Sequence, residues 1–170
     1  MLFRSFAQKF INGHDLAQVL EQRGSLDASE WLRLARAVAS ALHAIHQVDF
    51  VHRDVKPSNI MYAEETDNIY LIDLGVAHDP QASTIFGNAV GTWGYMSPEQ
   101  AIAGEPERSP SDFYSLGLVL FEALTMHLPQ QAPLNASDFV LPNGDLKAPA
   151  SATPLQKQVI EGLLRRLPED

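Results

Sequence analysis

His52-Arg53-Asp54-Val55-Lys56-Pro57-Ser58-Asn59, followed by Asp73-Leu74-Gly75, is the stretch on which the reading of this chain turns. It gathers an aspartate, a lysine, an asparagine and a second aspartate within about twenty residues, the set needed to move a phosphoryl group onto a hydroxyl. That chemistry asks little covalent help of a protein. It asks for positioning and for neutralisation of negatively charged oxygens, which a lysine, hard oxygen ligands for Mg²⁺ and an aimed carboxylate supply.

Around this stretch the chain is ordinary. Its 170 residues are the size of one domain, with 45% apolar and 19% charged residues, as in soluble globular proteins. The formal charge of −9, with Arg165-Arg166 as the only adjacent basic pair, argues against nucleic-acid binding. Cysteine is absent, which removes disulfides, thiolate chemistry and cysteine–zinc sites. No apolar run approaches the roughly twenty residues of a membrane span, and the N-terminus lacks a signal-peptide core. A cytoplasmic, reducing compartment is the default expectation.

Periodicity supplies the elements. Met1 to Ile11 reads as a strand ending at an Asn12-Gly13 turn, and Asp15 to Gln22 as a short helix closed by Gly24. Asp27 with Glu30 forms a capping-box start, after which Trp31, Leu34, Ala35, Val38, Leu42 and Ile45 recur at helical spacing. Asp49–His52, Asn59–Ala63 and Ile69–Leu74 are strand candidates, the last two flanking an acidic turn as in a hairpin. Asp79 to Gly94 reads as a long loop, and such loops in compact domains are usually functional. Ser111-Asp112 caps a helix over Phe113–Thr125 that leaves no polar face and is therefore expected to be buried. Prolines and turn residues dominate between Pro129 and Pro154. Thr153-Pro154 then opens a last helix with Leu155, Val159, Leu163 and Leu164 on one side.

Taken together, these motifs resemble the larger, C-terminal lobe of a eukaryotic-type (Hanks-type) serine/threonine protein kinase. His52–Asn59 and Asp73–Gly75 match the pattern H-R-D-L-x-x-x-N then D-F-G, with Val55 for leucine and Leu74 for phenylalanine. Asn12–Leu16 resembles the segment past the hinge, and Leu42–His46 the end of the helix before the catalytic loop. Gly91-Thr92 and Ser97-Pro98-Glu99 resemble the end of the activation segment, in a form similar to bacterial members. Asp112–Gly117 resembles the start of the buried central helix.

The resemblance implies an α+β, mainly helical fold: a kinase-like C-terminal lobe whose short β-hairpin carries the catalytic site. Residues 1–12 would be a remnant of the last small-lobe strand and hinge, and 13–170 the C-terminal lobe, cut at its far end. It implies ATP and Mg²⁺, with Mn²⁺ as a substitute, and a protein substrate bearing a serine or threonine acceptor. Asp54 would take the hydroxyl proton, Lys56 contact the transferring phosphate, and Asn59 and Asp73 bind the metal. The backbone of Lys9 and Ile11 would meet adenine, Met61 would pack beneath it, and Asp15 could reach ribose or a basic substrate residue. Thr92 would hold Asp54 and Lys56, Arg53 would answer phosphorylation at Ser83 or Thr84, and His52 and Asp112 would support the loop.

Two departures bear on activity. The glycines contain no G-x-G-x-x-G spacing, and only Lys9 and Lys56 precede Asp73, so the small lobe is expected to be missing and to act in cis or trans. Leu163–Asp170 resembles the segment leading to an arginine that pairs with the glutamate matched by Glu99, and the sequence stops just short of it. The isolated chain is therefore expected to be inactive. A non-catalytic pseudokinase module is the alternative, against which the joint presence of Asp54, Lys56, Asn59 and Asp73 counts. A kinase-like enzyme acting on small molecules is disfavoured by the peptide-groove segment. His43 and His46, three apart on a helix, read as packing or capping residues before a metal pair.

Overall fold

The computed structural model describes residues 10–64, 66–73, 93–98, 109–129 and 146–165. In chain order these form β1 (Gly13–Asp15), α1 (Leu16–Arg23), α2 (Ala28–His46), a 3₁₀ turn at Pro57–Asn59, β2 (Ile60–Ala63) and β3 (Ile69–Leu71). A second 3₁₀ turn at Trp93–Tyr95, then α3 (Ser109–Thr125) and α4 (Pro154–Leu163), complete the set. Helices dominate, with one small sheet, as expected.

Three of the helices, α1, α2 and α4, start where the sequence carries acceptors for their free N–H groups. Asp15, Asp27 and Thr153 each close a capping box, with Gln18, Glu30 and Gln156 reaching back. α2 turns Trp31, Leu34, Val38 and Leu42 into a core completed by Leu116, Leu118, Val119, Leu120 and Phe121 of α3. The one polar atom that Trp31 brings inside is satisfied, because its indole N–H donates to the Leu120 carbonyl at 2.9 Å. α4 packs on the other side of α3 at Gly117, where an added Cβ would lie 2.8 Å from Leu164. None of the described helices is long and apolar enough to cross a membrane.

Several expectations are corrected. Asn12-Gly13 is not a turn: Gly13 opens β1, which pairs antiparallel with β2 in a three-stranded sheet of order β1-β2-β3. Glycine is required there for close approach, since a Cβ would fall 1.9 Å from the Tyr62 carbonyl oxygen. Asp49–His52 is not a strand, because Asp49 has φ 56° and the His52 N–H is taken by a side chain. β3 stops at Leu71, and Asp73 has left the extended region with φ 55°. α3 begins at Ser109, so Ser111-Asp112 lie inside its first turn. Nor is α3 apolar all round, since it carries a half-buried Glu122. In α4 the buried positions are Gln156 and Ile160, with Leu164 just beyond, whereas Leu155 is 52% exposed. The expected strand over 1–11 falls outside the described residues except for its last two positions, and the loop over 79–94 except for 93–94.

Candidate active site

The site is built on a buried carboxylate. Asp112, in the first turn of α3, accepts the backbone N–H of His52 through Oδ2 at 2.8 Å and that of Arg53 through Oδ1 at 2.7 Å. Its Oδ2 also lies 2.8 Å from Nε2 of His46, at the last turn of α2. A buried charge is tolerable only when fully hydrogen-bonded, and these three donors do that. They also tie α2, α3 and the loop between α2 and β2 at one point. Phe113 sets its ring edge-on against His46, with centroids 5.3 Å apart.

His52 carries the support onward to β3. Its Nε2 meets the Ile72 carbonyl at 3.0 Å, and its Nδ1 faces the Asp54 N–H at 3.3 Å. An imidazole that donates at one nitrogen and accepts at the other is neutral. Burial holds its pKa below the usual 6.5, although the Ile72 bond and the charges of Asp112, Asp54 and Asp73 pull the other way. Arg53, between these two residues, has φ 72°. With Asp73 it puts two non-glycine left-handed residues at one place, the kind of backbone strain (about 1–3 kcal/mol each) that collects at functional sites.

Three of the side chains singled out for chemistry, those of Asp54, Lys56 and Asn59, then meet. Lys56 Nζ lies 2.7 Å from Asp54 Oδ2. The Asn59 amide nitrogen donates to that same Oδ2 at 2.9 Å and to the Asp54 carbonyl at 2.8 Å. With its N–H groups so committed, Asn59 has Oδ1 to offer a cation. The Ile72 N–H donates to the Asn59 carbonyl at 2.9 Å, which lays the start of β2 beside the end of β3 and carries Asp73 to the site. An amide oxygen and a carboxylate are hard donors suited to Mg²⁺, which is usually held by one or two such groups together with substrate phosphates. Among the described residues no group of three His, Asp or Glu side chains could hold a metal by itself.

The other expected positions are distributed as follows. Met61 is half-buried in a cross-strand row with Asp15 and Tyr70. Asp15 spends its Oδ1 capping α1 through the Gln18 N–H, which competes with any contact to ribose or substrate. Ile11 is half-buried at the entry to β1. Lys9, Ser83, Thr84, Thr92 and Glu99 lie outside the described residues.

Two contributions escaped the sequence reading. His46 serves Asp112, a role signalled only by its position just before the loop. Tyr95 donates its hydroxyl to Glu122 of α3, and Ser115 Oγ donates to the Tyr95 carbonyl at 2.7 Å, fixing the Trp93–Tyr95 turn on α3. Burial raises the Glu122 carboxyl, and burial followed by Glu122 raises the Tyr95 hydroxyl.

The described fold is mainly helical with a small sheet, and it joins Asp54, Lys56 and Asn59 by an ion pair and hydrogen bonds. Residues 3–168 match the protein kinase domain family, and the chain belongs to it. Its relatives include the serine/threonine-protein kinase PknE of Mycobacterium tuberculosis, 39% identical over 125 residues (72% of this chain, 22% of that protein). They also include PknH of Mycobacterium bovis, 38% identical over 126 residues (73% and 21%), and PknD of Mycobacterium tuberculosis, 39% identical over 127 residues (73% and 19%). The aligned stretch spans about a fifth of these relatives.

Asp112→Asn keeps the shape of the side chain but replaces an acceptor by a donor facing a backbone N–H. The expected cost is about 1–3 kcal/mol in chemical denaturation, with faster amide exchange at His52 and Arg53. The depressed pKa of His52 has its own signature. The unfolded chain takes up the proton first as pH falls, so stability is lost below about pH 6.5 and levels off beneath the folded-state pKa. An NMR titration of the His52 ring, with a midpoint below 6.5, checks it.

Proposed function

We propose that this chain is the catalytic, C-terminal lobe of an ATP-dependent protein serine/threonine kinase. The supporting observation is the Asp54–Lys56–Asn59 contact set with Asp73 carried alongside by the Ile72–Asn59 hydrogen bond. A serine or threonine hydroxyl presented to Asp54 gives its proton to that carboxylate as its oxygen bonds to the γ-phosphorus of ATP. The bond from that phosphorus to the β–γ bridging oxygen breaks, and ADP leaves with the electron pair. Asp54 is held in one orientation by Asn59 and Lys56, so the carboxylate is aimed before substrate arrives. Lys56, now paired with Asp54, is placed to turn its ammonium onto the phosphoryl oxygens as their charge develops. Asn59 Oδ1 and the Asp73 carboxylate would hold Mg²⁺ or Mn²⁺, which neutralises phosphate charge.

The finer assignments follow the same reading. Lys9 and Ile11 meet the adenine edge through their backbone, and Met61 lies under the ring. Thr92 steadies Asp54 and Lys56, and Glu99 anchors the end of the activation segment. Ser83 or Thr84 accepts an activating phosphate that Arg53 binds, as arginine pairs well with phosphate. The protein works in the cytoplasm on other proteins. These 170 residues hold no glycine-rich phosphate loop and no lysine placed to grip α- and β-phosphates. A small lobe in cis or in trans supplies both.

Transfer of labelled phosphate to a serine/threonine protein substrate tests this. In the presence of a small lobe, Asp54→Ala is expected to lower the rate by about 10²–10⁴-fold with an unchanged melting temperature. The 170 residues alone are expected to give no transfer above the Asp54→Ala control. Robust transfer by Asp54→Ala would overturn the catalytic assignment.

A further inference from the structure

The β2–β3 hairpin is fastened at both ends. At the site end stands the Ile72–Asn59 hydrogen bond. At the far end, Arg33 of α2 grips Asp67: its two terminal nitrogens donate one to each carboxylate oxygen, and Nη2 also donates to the Asp67 carbonyl at 3.1 Å. The guanidinium holds the Asp67 carboxyl below the usual carboxylate range. Asp67 has φ 54°, a left-handed conformation that aspartate adopts more readily than most residues. Nearby, the half-buried Tyr62 hydroxyl has no hydrogen-bond partner among the described residues, and burial pushes its pKa up to about 12.

An exposed ion pair normally contributes little, but a bidentate arginine–carboxylate fork is the geometry that does hold. The hairpin has reason to need holding. Its strands are four and three residues long, and so short a ribbon is marginal by itself. Asn59 immediately precedes β2, and Asp73 follows β3 with Ile72 between. Any roll of the hairpin against α2 therefore moves both candidate cation ligands.

We propose that the Arg33–Asp67 clamp is a positioning device for the site: it sets the roll of the hairpin on α2 and thereby the placement of Asn59 and Asp73 against Asp54 and Lys56. The inference rests on the reading of Asn59 and Asp73 as cation ligands. Arg33 and Asp67 touch no reacting atom.

Arg33→Ala and Asp67→Gly remove the clamp from either side, and glycine keeps the positive φ of the turn without strain. Arg33→Lys keeps the charge but not the fork. Tyr62→Phe is the neighbouring control. Two quantities are read: amide exchange at Ile72 in the full chain, and, with a small lobe supplied, the Mg²⁺ concentration for half-maximal phosphotransfer. Both clamp variants are expected to speed Ile72 exchange and raise the Mg²⁺ midpoint by about three- to tenfold, with the double variant no worse than either single. The rate at saturating Mg²⁺ stays within about twofold, Arg33→Lys restores part of the loss, and Tyr62→Phe changes neither readout. Wild-type exchange and midpoint in both clamp variants overturn the proposal. Should the wild-type chain transfer no phosphate even when supplied with a small lobe, the kinase reading fails. Ile72 exchange then decides the clamp alone: faster supports it, unchanged sinks it.

Discussion

One buried carboxylate, that of Asp112, is the contact from which the rest of the site follows. A charge inside a protein must find donors, and here the donors are two successive backbone N–H groups of the loop after α2, with His46 as a third. The consequence is directional. With those N–H groups spent on α3, the loop cannot run on as a strand, and it turns through Arg53 at φ 72°. That turn sends His52 inward to Ile72 and leaves Asp54 and Lys56 facing each other outside the core.

From there the order of the chain does the assembly. The 3₁₀ turn at Pro57–Asn59 reverses direction so that the Asn59 amide folds back onto Asp54. The hairpin returns the chain to the Asn59 carbonyl, delivering Asp73. Lys56 and Asp54 pair at hydrogen-bond distance, an ammonium against the carboxylate oxygen that the Asn59 amide also reaches.

Much of this was legible in the sequence because the signals are local. The capping box at Asp27, the Thr153-Pro154 start and the helical recurrence of Trp31, Leu34, Val38 and Leu42 marked α2 and α4. The spacing of Asp54, Lys56 and Asn59 singled out a loop whose three side chains the structure joins. What escaped depends on partners far along the chain. Gly13 looks like half of a turn until the Tyr62 carbonyl is set against it. Asp49–His52 has the composition of a strand, but the Asp49 and Phe50 N–H groups turn back to the end of α2 and that of His52 is claimed by a residue sixty positions on. Leu155 fits the apolar stripe of α4 yet is exposed, whereas Val159, Leu163 and Leu164 of that stripe pack on the core together with Ile160. Membership of the protein kinase domain family, shared with PknE, PknH and PknD, agrees with the locally written parts.

The central claim is that four side chains from one loop and one hairpin end address a single pocket of phosphate oxygens and divalent cation. Titrating Mn²⁺ with ADP into the isotope-labelled full chain, and following line broadening by NMR, tests it most directly. The account expects Asp54, the Asn59 side-chain amide and Asp73 to broaden first and together, with a common dependence on nucleotide. Broadening centred elsewhere, with Asn59 and Asp73 still sharp at saturation, would contradict it.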